Sequence, residues 1–243
     1  IAGNLLAGLT TDFIPAKDII WLMVVASIGT AVAAYLLFPL KTAPPAGNEQ
    51  PKPPRKLLRD PAFIAVVAAA SLIQASHALF YGFGAVAWSR MGLDGTTIAV
   101  FWALAVVAEI ILFAYSGRLP PFFNPTMMLI IGAAGAGVRW SCMALDPAVA
   151  ALPFLQCLHA LSFGATHLGA LGFVARHAPP GQAATAQGYL AIAMGVVMAG
   201  AMGISGVLYD GYGSLAYIAM ALAAVAGGGC ALVAHRARGE APL

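Results

Sequence analysis

Five ionisable side chains, His77, Glu109, Arg139, His159 and His167, lie inside long apolar runs of this chain. In hydrocarbon an ionisable group costs on the order of 3 kcal/mol on insertion scales, so each is a candidate functional residue. A carboxylate can take and release a proton, and an arginine can hold an anion with its planar fork. A histidine can do either job, depending on its protonation. Glu109 has the strongest case, because a mid-span carboxylate contributes nothing to packing. Arg139 follows, with outward snorkelling of its long stem as the alternative. For His77 the alternative is a hydrogen bond to a neighbouring helix. For His167, and for Gln156, gating or packing is the expected role.

Helical spacing groups these residues into stripes. Ser71, Gln74, His77 and Tyr81 are three, three and four residues apart, and at about 100° per residue they share one side of a helix. Gln156, His159, Phe163, Thr166 and His167 form a second stripe, and Trp102, Glu109, Phe113 and Ser116 a third. Three such faces are expected to line one cavity, since lipid leaves polar groups unsatisfied. Counting along the spans puts Glu109 and Arg139 about 9 Å apart in depth at 1.5 Å per residue. A substrate, a water or His159 fits between them. Phe80, Tyr81, Trp102 and Phe163 offer rings on which an aromatic ligand can stack.

The elements that must position these residues follow from composition. Of 243 residues, 61% are hydrophobic and only 9% charged, with a mean hydropathy of +0.87. A soluble chain carries roughly 25% charged residues, so a soluble enzyme is excluded and a lipid bilayer is the expected surrounding. Seven apolar runs stand out: Ile19 to Leu40, Phe63 to Trp88, Thr96 to Ser116, Thr126 to Leu145, Val149 to Val174, Gly188 to Leu208 and Leu215 to Val233. They are continuous rather than alternating, and about 20 apolar residues suffice to cross the bilayer as helix.

Between the first two runs, Lys41 to Asp60 holds five prolines and five basic residues and reads as a linker. With that linker in the cytoplasm, nine Lys and Arg fall on the cytoplasmic side and only Lys17 and Arg90 on the other. The positive-inside rule then places the C-terminus in the cytoplasm, for a multi-pass protein of the inner membrane. The expected organisation is residues 1–14 as the remnant of a helix and its outer loop, 15–40 as a helix closing an N-terminal half, 41–60 as linker, 61–235 as a six-helix C-terminal half and 236–243 as tail. On this parse an N-terminal transporter half is a missing partner. A self-contained seven-span protein is the alternative.

Other chemistries find no motif. HExxH, GxSxG, GxxxxGK[ST] and zinc-spaced Cys/His clusters are all missing from the sequence, so no cofactor, no metal and no enzymatic activity are expected. Nucleic acid is not an expected partner either. Cys142, Cys157 and Cys230 stand singly in apolar runs and read as small buried residues. Gly132, Gly135 and Gly137, and the four-spaced Gly195, Ala199 and Gly203, read as close helix contacts. Met194, Met198 and Met202 read as packing.

Several strings carry a family resemblance. LQCLHALSFGATHLGALGFVARHAP (Leu155 to Pro179) resembles the tenth helix of phenylpropionate permeases of the major facilitator superfamily. VFWALAVVAEIILFAYSGRL (Val100 to Leu119), GVRW (Gly137 to Trp140) and GVLYDGYG (Gly206 to Gly213) resemble helices eight, nine and the end of eleven. That group is allied to lactose permease and to nucleoside–proton symporters. The resemblance implies that the chain runs from the end of helix five through helix twelve of a twelve-helix fold. It assigns Glu109 to the helix-eight carboxylate, Arg139 to the helix-nine arginine and His159 to the helix-ten histidine beside it. No acid follows His159 in its helix; His167 is the nearest titratable group. The loop after helix eight is reduced to Arg118 and prolines.

The sequence thus points to an all-α membrane protein, the C-terminal part of a secondary transporter for a small organic, aromatic acid, working by proton symport. Glu109 would couple the proton. Arg139, His159, His77, Gln74, Tyr81, Trp102 and Phe163 would meet the substrate, with Arg139 alternatively serving only to neutralise Glu109. A sugar or nucleoside symporter is the second reading, and a non-transporting seven-span sensor or assembly partner the third.

Overall fold

The computed structural model describes residues 16–37 and 54–238. All the elements described are helical. Helix α1 (Ala16–Leu37) presents exposed side chains such as Trp21, Ile28 and Tyr35. The expected helix remnant and most of the linker and tail lie outside the described residues; within the linker, Pro54–Arg59 forms a 3-10 helix.

From Pro61 onward six helical passes follow. The first is α2 (Pro61–Ala75) continued by α3 (Ala78–Arg90), the second α4 (Gly95–Ser116), the third α5 (Pro125–Met143). The fourth, Val149–His177, holds α6 (Leu152–Cys157), a π turn at Ala160–Ala165 and α7 (Thr166–His177). The last two are α8 (Ala183–Tyr212) and α9 (Tyr217–Ala237). A helical stretch of 55 residues from Ala183 to Ala237 is predominantly apolar, but at 1.5 Å per residue it is far longer than one crossing. Gly213, at φ +57°, ends α8, and a 3-10 turn at Gly213–Ala216 redirects the chain.

Capping side chains start three of these helices. Asp60 accepts from the Ala62 amide at 3.0 Å, Asp94 from Thr97 at 2.6 Å and Asn124 from Met127 at 2.9 Å, each satisfying an amide that a helix start leaves free. The other oxygen of Asp60 pairs with Arg238, so the start of α2 is tied to the end of α9. Helix α9 packs between α2 and α5, α8 lies along α2 and α3, and α4 rests on the fourth pass. One apolar cluster gathers Phe80, Trp88, Trp140, Met143 and Tyr217 toward the end bearing Arg90. Another gathers Phe63, Leu129, Phe173 and Leu190 toward the end bearing Arg118 and Arg176.

Four expectations need correction. The run Phe63 to Trp88 is not one uninterrupted helix: α2 stops at Ala75 and α3 begins at Ala78, with Ser76 and His77 in a turn. The fourth pass is likewise irregular, so its polar residues do not keep one face. The glycines of α8 make no close contact, since a Cβ built at Gly195 or Gly203 meets nothing within 4 Å. Two of the three in α5 do: at Gly132 it would stand 2.1 Å from Thr166 Oγ1 and at Gly135 2.7 Å from Leu161 Cβ, whereas at Gly137 it meets only Val225 at 3.8 Å. Finally, Cys157 is exposed and Cys142 and Cys230 are half-buried rather than buried.

Candidate functional site

Arg139, on α5, is fully enclosed. Its guanidinium donates to Gln156 Oε1 at 2.9 Å, to His159 Nδ1 at 3.1 Å and to Ser162 Oγ at 3.4 Å. The rings of Phe80 and Trp140 lie against its planar carbon at 4.8 and 4.6 Å, a cation–π arrangement suited to a dry site. Its Nε has no partner.

Because an arginine has no acceptor, the bond to Nδ1 places the His159 proton on Nε2. That nitrogen faces Glu109 Oε2 at 3.8 Å. His159 therefore stands between the cation and the carboxylate, and among the described residues Arg139 and Glu109 form no direct pair. Glu109 comes from α4, and its Cγ lies 3.3 Å from the position a Gly164 Cβ would take. The glycine lets the carboxylate stem approach the π turn.

His77 extends the network on the other side. Its Nδ1 lies 3.1 Å from the Ile73 carbonyl and 3.2 Å from that of Gln74, so it carries the proton. Its Nε2 then accepts from Ser162 Oγ at 3.1 Å. Ser162 thus receives from Arg139 and donates to His77. At the break after Ala75 the His77 amide bonds the Gln74 carbonyl at 3.1 Å instead of that of Ile73, which leaves the Ile73 carbonyl for the ring. Beside it, Ser76 bonds Ile73 O and takes the Trp140 indole N–H at 2.9 Å, fixing the ring that covers Arg139.

The stripe residues divide by neighbour. Gln156, Ser162 and Thr166 are fully buried. Gln156 and Ser162 bond Arg139, and Thr166 fills the gap left by Gly132. His159, Phe163 and His167 instead form a column of near-parallel rings, 5.0 and 6.1 Å between successive centroids. Phe113 of α4 packs on His167 at 6.2 Å. Gln74 donates to the Phe163 carbonyl at 3.4 Å, and its Oε1 has no partner. Tyr81 and Trp102 pack at a tilt against Phe80, with ring centroids at 6.2 and 4.6 Å, and retain exposed surface.

The structure therefore brings Glu109, His159, Arg139, Gln156, His77, Gln74 and Phe163 into one connected site, with Tyr81 and Trp102 at its aromatic edge. His167 lies off the hydrogen-bonded part, down the ring column. Ser162 was not among the residues singled out from sequence, although a lone serine three positions after His159 in an apolar run is a visible signal. Trp140 was legible only as part of a family string.

Buried charge and histidines held among apolar passes define a multi-pass α-helical membrane protein with a polar intramembrane site. The chain belongs to the MFS_1 like family, which it matches over residues 1–219. It is 34% identical over 159 residues to the probable 3-phenylpropionic acid transporter of Escherichia coli (strain K12), a match covering 65% of this chain and 42% of the relative's length. This supports its place among phenylpropionate permease-like members of the major facilitator superfamily. No solved structure matches the chain.

Proposed function

We propose that the chain forms the C-terminal half of a proton-coupled inner-membrane transporter that takes up a small aromatic carboxylic acid. The observation that carries this reading is the line from enclosed Arg139 through His159 to partly exposed Glu109, beside the aromatic edge of Tyr81, Trp102 and Phe163. The similarity to the probable 3-phenylpropionic acid transporter of Escherichia coli supports the same substrate class. Secondary transporters place their site at the interface of two repeats, so an N-terminal half is the partner that completes the cavity. The linker and the tail lie in the cytoplasm on this reading, by the distribution of Lys and Arg.

Glu109 carries the coupled proton. When it is ionised, the His159 N–H turns to it; when it is protonated, an incoming carboxylate can take the same N–H. Arg139 stabilises either anion through the His159 ring, and meets the substrate itself when Gln156 or Ser162 yields its place. His77 holds Ser162, and Gln74 offers a free carbonyl oxygen. The test is uptake of radiolabelled 3-phenylpropionate into proteoliposomes of the complete protein as encoded. A pH gradient, acid outside, should drive saturable accumulation; none at any gradient would reject the reading.

One feature favours a sugar or nucleoside as substrate instead. Both terminal nitrogens of Arg139 are already bonded within the protein, as fits a cation that tunes Glu109 without touching an anion. Competition by sugars or nucleosides but not by aromatic acids would select this second reading.

A further inference from the structure

We propose that His167 is the inner proton station of this site, receiving the proton of Glu109 across the gap at Gly164 and passing it to water at the Arg118 and Arg176 end. The proposal rests on the reading of Glu109 as the coupling group. It gives the proton a route that the hydrogen-bonded network lacks, since that network leads from Arg139 toward His77 and ends on the Ile73 and Gln74 carbonyls.

Three placements support the route. First, Glu109 has its pivot at Gly164: its Cγ would stand 3.3 Å from a Cβ there, while its Oε2 reaches out to His159. Gly164 lies between His159 and His167 in the chain, so the Glu109 stem stands beside the turn that separates the two histidines. Second, helical side chains lean toward the N-terminus of their helix, so the His167 ring covers the turn that holds Gly164. Its stacking on Phe163 and its contact with Phe113 place it there, and Phe113 itself lies 3.5 Å from the Gly164 position. Third, His167 is half-buried whereas His159 is nearly enclosed. Starting at the next residue, Leu168, Gly172 and Arg176 line a recess with Ser116 of α4, about 180 Å³ in volume.

The step is a simple transfer. The Glu109 carboxyl loses its proton to the free ring nitrogen of neutral His167, leaving a carboxylate and an imidazolium. The imidazolium then releases that proton to water in the recess. The other titratable groups on the elements packed against this helix are Arg139 and Cys142 on α5, Tyr115 on α4 and Tyr189 on α8, with Tyr209, Asp210 and Tyr212 at the far end of α8 and none on α2; His177 and Arg176 follow on α7 itself.

The variant His167→Phe keeps a ring on Phe163 and Phe113 while removing both nitrogens. Infrared spectroscopy of the complete protein in lipid, switched from H₂O to D₂O, follows exchange of the Glu109 carboxyl, assigned by its loss in Glu109→Gln. Exchange should slow about ten-fold or more in His167→Phe, within the range of positioned acid–base groups. An unchanged rate overturns the proposal. Lack of any protonated Glu109 band from about pH 5 to about pH 9 overturns it together with the coupling reading. In proteoliposomes, gradient-driven 3-phenylpropionate uptake should fall by a similar factor while equal-concentration exchange stays within about two-fold. Parallel loss of both would mark His167 as structural and reject it. A wild-type protein that shows the band and its slowing in the variant, but moves no 3-phenylpropionate, refutes the substrate assignment and upholds the station.

Discussion

Thr166 fills the volume that a side chain at Gly132 would need. A Cβ at Gly132 would stand 2.1 Å from Thr166 Oγ1 and 3.1 Å from its backbone nitrogen. That contact presses α5, which carries Arg139, against the end of the π turn, which carries Ser162. Gly132→Ala should therefore destabilise the protein by about 1–3 kcal/mol through overpacking, seen as a lower midpoint of thermal unfolding in detergent. An unchanged midpoint would mean the two helices are not in this register.

Glu109→Gln removes the exchangeable proton but keeps the side-chain length. Gradient-driven accumulation should be lost, by about a hundred-fold or more, at every pH tested. Exchange of labelled for unlabelled substrate should persist. Normal accumulation would take Glu109 out of the cycle.

Arg139 makes three bonds from a planar fork, and a lysine cannot reproduce them. Arg139→Lys is expected to behave as a loss of function despite keeping the charge. A double variant decides what the cation does. If Arg139 holds a carboxylate, Glu109→Gln with Arg139→Gln should bind substrate more weakly than Glu109→Gln alone by about 1.5–3 kcal/mol. Equal affinities in isothermal titration would leave Arg139 as a partner of the protein's own groups and favour the sugar or nucleoside reading.

Asp94, outside the spans at the start of α4, has its carboxyl held below the usual range by the Thr97 amide and hydroxyl, which bond its charged form. A lowered folded-state value means the cap's contribution is fully present above the ordinary carboxylate pKa, near 3.9. It is lost as pH falls through the lowered value. Hydrogen exchange at the Thr97 amide should accelerate over that acid window. In Asp94→Asn the acid-dependent acceleration should disappear.

Orientation can be checked without any transport assay. In a background with Cys142, Cys157 and Cys230 replaced, cysteines introduced at Asn48 and Gly239 should resist an impermeant thiol reagent in intact cells and react after lysis. Labelling of either from outside would reverse the assignment.

The helical passes were legible because hydropathy reports length and continuity, which is all a bilayer requires. Residue counts gave the depth offset between Glu109 and Arg139 but left a substrate, a water or His159 as equal candidates for the place between them; the structure puts His159 there. Two breaks were not legible. Nothing in the run around Ser76 and His77 contains a proline or glycine, and the turn there is held by Ser76 Oγ and His77 Nδ1 bonding back to Ile73 O. The π turn is set by contacts across helices, with Leu161 over Gly135 and Thr166 over Gly132, which a periodicity cannot express. The α8 glycines looked the same in sequence as those of α5; only the position of neighbouring helices tells an open face from a tight one.

The π turn also leaves a mark that can be read in other chains. Such a turn holds one residue more than a regular helix of the same length, and one residue corresponds to about 100° of rotation. A relative whose fourth pass is regular would need a one-residue gap between Ala160 and Ala165 for its later positions to face the same way. Aligned without that gap, its residues opposite His167 and Arg176 would be compared across the wrong side of the helix. Deleting Leu161 here should accordingly turn the pass into a regular helix that still faces His167 toward Phe113 and leaves His159 in place.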